Sequence, residues 1–259
     1  MIFILGGKGF VGSAFARLCA DQGLDHTIID RENYATLVGG SCDIFVNANG
    51  NSSKPLAAKE PVREFDASVR SVRSSLVDFR FGTYIHLSSC DVYPDCTSPA
   101  TTREDQPLDP AMQSPYGFHK HLAEQCVRHA ARRWIILRMG GFVGPGLKKN
   151  AIYDILHGPK LWLDPESELQ YMPTDALAKA ALALAAKGIV NEVFNACGRG
   201  LVRLRDVMTW AGRTVSVDPQ AKKVRYEVGI SKIESVLPMP ETAASVRAFV
   251  EANAGVSVS

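Results

Sequence analysis

The sequence predicts an α/β fold, a doubly wound parallel sheet with a small C-terminal lobe. Three observations support this prediction. Short apolar runs alternate with longer amphipathic segments, a glycine-rich turn follows the first apolar run, and polar residues follow several later runs directly. Short apolar runs are typical of buried parallel strands, and the amphipathic segments supply the helices that connect such strands.

The first apolar run, residues 2–5, leads directly into a turn with three glycines at a spacing of three. Such glycines permit a sharp turn, a close approach of the backbone to a phosphate, and tight packing of the next helix, which we expect over 10–21. Amide groups at the start of that helix would face an anion. The residues predicted to bind a cofactor phosphate are Gly6, Gly9, Phe10, Val11 and Gly12.

A second apolar run, His26 to Ile29, ends at Asp30, about twenty residues beyond the glycines. An acidic side chain at this position can accept hydrogen bonds from an adenosine ribose. Arg31 follows directly, and its guanidinium could instead hold a ribose 2′-phosphate. We therefore predict a dinucleotide site with NAD as the cofactor and NADP as the alternative.

The third predicted strand is Asp43 to Val46, at whose carboxyl edge a ligand would bind in an open parallel sheet. Residues 51–60 are expected to form a loop, and apolar residues at spacings of three and four predict a helix over 61–79. The residues expected to flank the cofactor beyond this strand are Asn47, Ala48 and Asn49.

The fourth predicted strand, Thr83 to Leu87, is followed by the polar sequence SSCD. A loop rich in Pro, Thr and Asp leads to Pro115, a residue suited to the first turn of a helix. The fifth predicted strand is Trp134 to Arg138.

Tyr116 and Lys120 lie four residues apart on the helix that Pro115 opens, so both can reach one ligand. A tyrosine with its ordinary pKa near 10 transfers protons poorly at neutral pH, but a nearby ammonium favours the phenolate. Ser89, at the end of the neighbouring strand, can donate to a substrate oxygen. These three residues predict proton transfer at a carbinol or carbonyl.

Two domains are expected, a dinucleotide-binding core over 1–145 and a small substrate lobe over 146–259, with about 174–197 returning to the core. The last residues, 255–259, are expected to fray. The elements predicted in the lobe are helices at 174–186, 204–210 and 241–252 and a strand at 192–195.

Composition describes an ordinary globular protein, with a net charge of +2 and 46% hydrophobic residues. No basic field indicates nucleic acid, and the six cysteines show neither a CxxC motif nor spacing typical of a metal site. The first strand starts at residue 2, which leaves no room for a signal peptide, and no apolar run reaches membrane length. We expect a cytoplasmic protein without metal, membrane or nucleic-acid partners.

The motifs GGKGFVG, SSCDVYP and YGFHK, together with Asp30, resemble the extended short-chain dehydrogenase/reductase family in its NAD-dependent epimerase/dehydratase branch. The stretches LRMGGFVGPG and QYMPTDALAKA extend the likeness over most of the chain. The resemblance implies a Rossmann-type fold, NAD as cofactor and a nucleotide-sugar substrate. It also implies a homodimer through the helices at 61–79 and 115–129.

The resemblance assigns roles to individual residues. The glycines of the first turn would bind pyrophosphate and Asp30 the adenosine ribose, with the residues after the third strand beside the cofactor. Lys120 would hold the nicotinamide ribose, Tyr116 would be the acid/base, and Ser89 would orient the substrate oxygen. Asp91 is a further candidate acid or base, with a turn cap as its alternative role.

The sequence departs from the family pattern where substrate would bind. Cys90 and Asp91 occupy the positions of the acid pair of family dehydratases, and Gly141 replaces an asparagine that contacts substrate. An arginine expected near residues 169–170 is also missing. The residues that could contact substrate or replace lost phosphate contacts are Ser89, Cys90, Gly141, Lys148, Lys149, Arg199 and Arg203.

The predicted function is an NAD(P)-dependent oxidoreductase or epimerase that acts on a sugar, in the form of a nucleotide sugar, by hydride transfer with Tyr116 as acid/base. One alternative is reduction of a 4-keto sugar or of a non-sugar ketone with NADPH. A second is a protein that binds NAD(P) without turnover. The motifs do not distinguish epimerase, dehydratase and reductase, and they do not identify the sugar.

Overall fold

The structure, a computed structural model, describes residues 1–254, so the predicted fraying of 255–259 lies outside the described residues. The chain divides into two compact units. The first comprises Met1–Pro94, Glu104–Met139 and Leu177–Asn195, and the second comprises the remainder. This division leaves the first unit at residue 139, earlier than the predicted boundary at 145, and assigns residues 95–103 to the second unit.

The strands of the described chain are numbered in chain order. They are β1 Ile2–Leu5, β2 His26–Ile29, β3 Ser41–Asn47, β4 Arg80–Ser89, β5 Trp134–Met139, β6 Gly141–Val143, β7 Lys160–Leu163, β8 Glu168–Leu169, β9 Tyr171–Pro173, β10 Glu192–Ala196, β11 Val202–Arg203, β12 Ser216–Lys222 and β13 Arg225–Tyr226.

The α-helices are numbered in the same way, and a π-helical turn, Asp66–Arg70, joins two of them. They are α1 Gly12–Asp21, α2 Tyr34–Leu37, α3 Lys54–Lys59, α4 Pro61–Phe65, α5 Ser71–Asp78, α6 Pro115–Ala130, α7 Ala151–His157, α8 Thr174–Ala186, α9 Leu204–Ala211, α10 Ser231–Glu234 and α11 Thr242–Asn253.

The central sheet has six strands in the order β10, β5, β4, β3, β1 and β2. The pairings from β2 through β5 are parallel, with Leu5 opposite Ile29 on one side and Asn47 on the other. Strand β2 lies on one side of β1, whereas β3 and the later strands lie on the other side. The strand order therefore reverses between β1 and β3, and ligands of such sheets bind at the carboxyl ends of the strands at this switch point. The predicted doubly wound, Rossmann-type α/β fold is confirmed.

Aromatic side chains fill much of the core of the first unit. The ring of Phe45 stacks on Tyr84 with centroids 5.2 Å apart, and Phe79 contacts Phe45 from the neighbouring helix end. Full burial of one such side chain stabilises the fold by about 1.5–3 kcal/mol. This packing fixes the positions of β3 and β4, whose carboxyl ends lead into the candidate site.

The segment between β3 and β4 differs most from the prediction. The expected loop at 51–60 contains α3, and the expected helix over 61–79 consists of α4, the π-helical turn and α5. Glu60 leaves the helical region with φ −133° and ψ 63° because a residue before proline is disfavoured there. Pro61 then begins a separate helix.

The second unit has its own hydrophobic core, formed around helices α7, α9 and α11. Its strands form small sheets, including a parallel pair of β6 and β9. Within residues 1–254, none of the helices has the length and hydropathy required to cross a bilayer. Over the same described residues, no group of His, Cys, Asp and Glu is arranged to hold a metal ion.

Candidate active site

The turn after β1 is built on glycine geometry. Gly6 has φ +80°, and a Cβ placed on it would lie 3.0 Å from the carbonyl oxygen of Ala48. The amide of Gly9 donates to the carbonyl of Gly6 at 2.9 Å. A Cβ on Gly12 would lie 2.2 Å from that same carbonyl oxygen, so only glycine lets α1 begin this close to β1. The turn therefore keeps backbone amides near a helix N-terminus, an arrangement that fits a dinucleotide phosphate.

Replacing Gly12 by Ala is expected to lower the affinity for NADH by about 100-fold or more, because the methyl group forces α1 away from a turn that must approach the pyrophosphate closely. Nicotinamide fluorescence in an NADH titration measures the loss. Ser13→Ala, one position further along the same helix, is the matched control and should bind as the wild type does. Equal affinity of the two variants would contradict this role of the turn.

Asp30 lies at the end of β2 with its carboxylate already engaged. Lys8 of the glycine turn reaches it at 2.5 Å, and the amides of Glu32 and Asn33 donate to its Oδ1. The Lys8 hydrogen bond, supported by the backbone amides, lowers the pKa of Asp30. A ribose hydroxyl bound to this carboxylate would compete with Lys8. Arg31 beside it is exposed.

The residues after β3 are placed differently from one another. Asn47 is fully buried, and its side-chain amide donates to Tyr84 and Ser75 within the core while its Oδ1 accepts from the amide of Asn49. The side chain of Asn47 thus shapes the turn from within the core, and its place beside the cofactor stays a prediction. Ala48 and Asn49 lie against Gly6 through their backbone atoms.

A short helical turn, Cys90–Val92, follows β4 and positions Ser89. The hydroxyl of Ser89 accepts from the amide of Asp91 at 3.2 Å and donates to its carboxylate at 3.1 Å. The other carboxylate oxygen of Asp91 contacts Nζ of Lys54 at 2.6 Å. Ser89 is therefore the residue that caps this turn, and the carboxylate of Asp91 lies beside the Ser89 hydroxyl. The role of Asp91 as an acid or base stays a prediction.

The start of α6 fixes Tyr116 against this turn. The Ser114 hydroxyl caps the helix by accepting from the amide of Gly117 at 3.1 Å, and Pro115 occupies the first turn. A Cβ on Gly117 would lie 2.0 Å from the carbonyl oxygen of Asp91. Glycine at this position therefore allows the helix to press directly on the turn that carries Ser89.

Tyr116 and Lys120 are both buried, 7% and 6% exposed, and Nζ of Lys120 lies 5.5 Å from the centre of the tyrosine ring. The Tyr116 hydroxyl donates to the carbonyl of Asn51 at 3.4 Å. Burial raises the pKa of Tyr116 above its ordinary value, and the charge of Asp91 adds to this, whereas a hydrogen bond from Ser89 opposes it. The spacing of Tyr116 and Lys120 in the sequence indicated only an ammonium that favours the phenolate. Burial of the phenol, which raises its pKa, depends on tertiary packing.

The histidines of this region lie at different depths. His119 is 8% exposed, and its Nδ1 contacts Oε2 of Glu64. His121 is half-buried between Gln113 and Gln125. His86 on β4 is almost fully buried, and neither ring nitrogen has a hydrogen-bond partner among residues 1–254. Burial lowers the pKa of His86 to about 3, so the imidazole stays neutral beneath α6.

The candidate substrate residues are not equally available. The Cys90 thiol is fully buried and donates to the carbonyl of Arg138 at 3.2 Å, which removes it from the set of substrate contacts. Gly141 belongs to the second unit, where a Cβ would lie 2.6 Å from the ring of Tyr171. A side chain at this position would overlap the ring of Tyr171, so the packing requires glycine here. Lys148 and Lys149 are exposed in the second unit.

Four residues that the structure places near the site were not predicted from the sequence: Asn51, Lys54, Glu64 and Ser68. All four lie in the segment between β3 and β4, where the irregular helices obscure the periodicity. The acidic Glu64 on a helix face was the available signal, because a charged residue in line with apolar positions implies a buried partner.

The family model of the NAD dependent epimerase/dehydratase family matches residues 2–197. The chain belongs to this family. The predicted family and the prediction of an enzyme are thereby confirmed, and the family description confirms the predicted use of a nicotinamide dinucleotide cofactor. A search of curated protein sequences found no match to the chain.

Solved structures show the same fold at low sequence identity. A UDP-galactose 4-epimerase is 21% identical with a TM-score of 0.77, covering 96% of this chain and 97% of that one. UDP-glucuronic acid 4-epimerase from Bacillus cereus, in complex with UDP-glucuronic acid and NAD, is 18% identical with a TM-score of 0.78 and covers 97% of both chains. The protein RMD from Pseudomonas aeruginosa, complexed with NADPH, is 18% identical with a TM-score of 0.77, covering 97% of this chain and 99% of that one.

Proposed function

We propose that this enzyme is an NAD(P)-dependent oxidoreductase or epimerase that acts on a sugar carried by a nucleotide, with Tyr116 as the acid/base. The observation that carries the proposal is the burial of Tyr116 and Lys120 on one face of α6, next to Ser89 and on the same sheet edge as the glycine turn. When bound, the nicotinamide would accept or supply the hydride. The glycine turn and Asp30 are the residues that would hold the dinucleotide.

Tyr116 would give its hydroxyl proton to a substrate carbonyl oxygen as hydride reaches the carbon, and would take the proton back from the carbinol in the reverse direction. Ser89 would turn its hydroxyl from Asp91 to the same oxygen and orient it. Because burial raises the pKa of Tyr116, the phenol is protonated at neutral pH in the free protein and is ready to act as the acid. Action as the base requires positive charge nearby, which Lys120 would supply.

A reductase that uses NADPH is the second candidate, and one contact favours it. Lys8 and Asp30 form an ion pair, so the negative charge that would repel a 2′-phosphate is already balanced, and Arg31 stands next to it. The missing side chain at Gly141 gives some support to a substrate other than an ordinary nucleotide sugar. A protein that binds NAD(P) without turnover would not require the buried Tyr116 and Lys120, whose desolvation is costly.

Mass spectrometry and absorbance of the nucleotide released on denaturation of the purified protein test the choice of cofactor. Tightly held NAD would support an epimerase or dehydratase that recycles its cofactor, with Asp30 binding the ribose. An empty site that takes up NADPH would support the reductase instead. A protein that holds and takes up neither nucleotide would contradict both candidates.

The substrate class is tested by incubating the cofactor-loaded enzyme with UDP-, dTDP-, GDP- and CDP-sugars. A true substrate or product raises the melting temperature, by more the more tightly it binds at a given concentration, and chromatography of the nucleotide sugars detects conversion. Failure of all four classes to shift the melting temperature would point to a non-sugar alcohol or ketone.

We also propose a homodimer through the helices between β3 and β4 and through α6. Large apolar side chains are exposed on α4 and α5: Val62 is 76%, Val77 65% and Phe65 39% exposed. Sedimentation at micromolar concentration should give twice the mass of the chain, and a monomer would rule this interface out.

A further inference from the structure

A fully buried carboxylate lies close to the proposed catalytic pair without being part of it. Glu64 on α4 has no exposed surface, and the neighbouring Ser68, on the π-helical turn, is 2% exposed. The Ser68 hydroxyl donates to Oε1 of Glu64, while Oε2 contacts Nδ1 of His119 on α6. A carboxylate removed from water at this depth requires such partners, because its desolvation is costly.

Glu64 is connected through Ser68 to the loop under Tyr116. The Ser68 oxygen accepts from the amide of Asn51 at 3.4 Å, and the carbonyl of that same residue accepts from the Tyr116 hydroxyl at 3.4 Å. A chain of contacts therefore runs from Glu64 through Ser68 and Asn51 to the acid/base. Ser68 lies on the π-helical turn with its side chain buried. Single π-helical turns within helices are frequent at functional sites.

The ammonium group of Lys120 lies beside the same loop. A Cβ built on Gly50 would lie 3.2 Å from Nζ of Lys120 and 3.8 Å from the Ser68 oxygen, so the ammonium and the serine hydroxyl both lie beside this loop residue. Burial lowers the pKa of Lys120, and the negative charge of Glu64, followed by that of Asp91, raises it.

The charged and titratable groups around Lys120 come from four elements. On α6 these are Tyr116, His119 and Glu124, of which Glu124 is bound to Arg138 and Ser88. On β4 there is neutral His86, and in the turn after β4 there is Asp91, which Lys54 engages. Glu64 on α4 is therefore the carboxylate near Lys120, among the described residues, that is fully buried and not already paired with an arginine or a lysine.

We propose that Glu64 is a positioning residue that serves as the buried counter-charge of Lys120 and, through Ser68, holds the loop whose Asn51 carbonyl receives the Tyr116 hydroxyl. This inference deepens the proposed function and rests on it for the role of Lys120. Glu64 touches neither substrate nor cofactor and acts through the ammonium and the loop. If Glu64 served only as a structural partner of His119, removing its charge would leave the pKa of Lys120 unchanged. The pKa of Lys120 therefore distinguishes a structural role of Glu64 from a role as counter-charge.

The test is the pH titration of the Lys120 ammonium by NMR in cofactor-free protein with ¹⁵N-labelled lysine, its signal assigned by loss in Lys120→Met. In Glu64→Gln, which keeps the shape of the side chain and removes its charge, the midpoint is expected to fall by about one pH unit or more, because an opposite charge that favours the ammonium is gone. Glu60→Gln is the matched control, since Glu60 is half-exposed and pairs with Arg63 on the surface. Its midpoint should equal that of the wild type.

An unchanged midpoint in folded Glu64→Gln would overturn the proposal. If that variant does not fold, the double variant Glu64→Gln/His119→Gln keeps a side-chain hydrogen bond between two amides and is expected to show the same fall. An unchanged midpoint there would overturn the proposal equally. Because the titration uses neither cofactor nor substrate, its outcome is independent of the test of the proposed function, which the released nucleotide and the sugar screen decide.

Discussion

Replacing Tyr116 by Phe is expected to lower kcat by about 10²- to 10⁴-fold, the range for removal of a general acid or base. The ring remains buried against Lys120 and the fold keeps its packing, while the hydroxyl that donates to the Asn51 carbonyl disappears. Single-turnover change in nicotinamide absorbance, with the sugar nucleotide identified in the thermal-shift screen, measures the effect. NADH affinity should stay close to that of the wild type.

Tyr34→Phe provides the matched control for this loss. It also removes a tyrosine hydroxyl in the first unit, one that contacts Asp78 at 2.8 Å away from the site. Its kcat should equal that of the wild type. Full activity of Tyr116→Phe would contradict the acid/base assignment.

Replacing Arg138 by Met is expected to destabilise the first unit by about 3–5 kcal/mol, since removal of one partner of a buried pair leaves the other charge uncompensated. Arg138 is 2% exposed and donates to both carboxylate oxygens of Glu124, at 3.0 and 2.8 Å. The Glu124 carboxylate is fully buried and also accepts from Ser88. Denaturant unfolding, followed by tryptophan fluorescence of Trp134 in the first unit, measures the change.

The stability that the pair of Glu124 and Arg138 contributes depends on pH. Burial is the largest influence on the pKa of Glu124 and tends to raise it, but the charge and hydrogen bonds of Arg138, together with the hydrogen bond from Ser88, lower the pKa in the folded wild type. The pair therefore adds stability above the unfolded pKa of Glu124, and this stability is lost as the pH falls through the folded value. In Arg138→Met the guanidinium no longer opposes burial, so Glu124 takes up a proton at a higher pH than in the wild type. The difference in free energy of unfolding between the variant and the wild type therefore becomes smaller as the pH falls.

The double variant Arg138→Met/Glu124→Leu is the control, because replacing both partners of a buried pair by apolar residues of similar volume is often close to neutral. It should recover most of the lost free energy of unfolding. A single variant as stable as the wild type, or a double variant as unstable as the single one, would show that the ion pair does not hold this part of the core.

Sequence reasoning succeeded where the signal is local. The run at 2–5, the glycine spacing and the strand at 26–29 depend on residues within a few positions of one another, so periodicity and turn chemistry reveal them. The spacing of Tyr116 and Lys120 on one helix likewise predicts a shared face before any packing is known. Family membership followed from these same short motifs.

Sequence reasoning failed where neighbours in space are distant in the chain. His119 and Glu64 are 55 residues apart, so nothing near His119 indicates that it is buried. The side chain of Asn47 turns into the core because Tyr84 and Ser75 receive it there. The thiol of Cys90 is buried for a similar reason, since the carbonyl of Arg138 on the adjacent strand accepts from it.

The α/β class, the glycine turn and the helix that carries Tyr116 and Lys120 could be read from the amino-acid sequence, because each of these depends on a local pattern. Which charges lie close together depends on how the elements pack. Lys8 engages Asp30, Lys54 engages Asp91, and Glu64 is buried close to the site. Electrostatic interactions act through space, and the order of residues along the chain does not specify which of them the packed sheet and helices bring within reach.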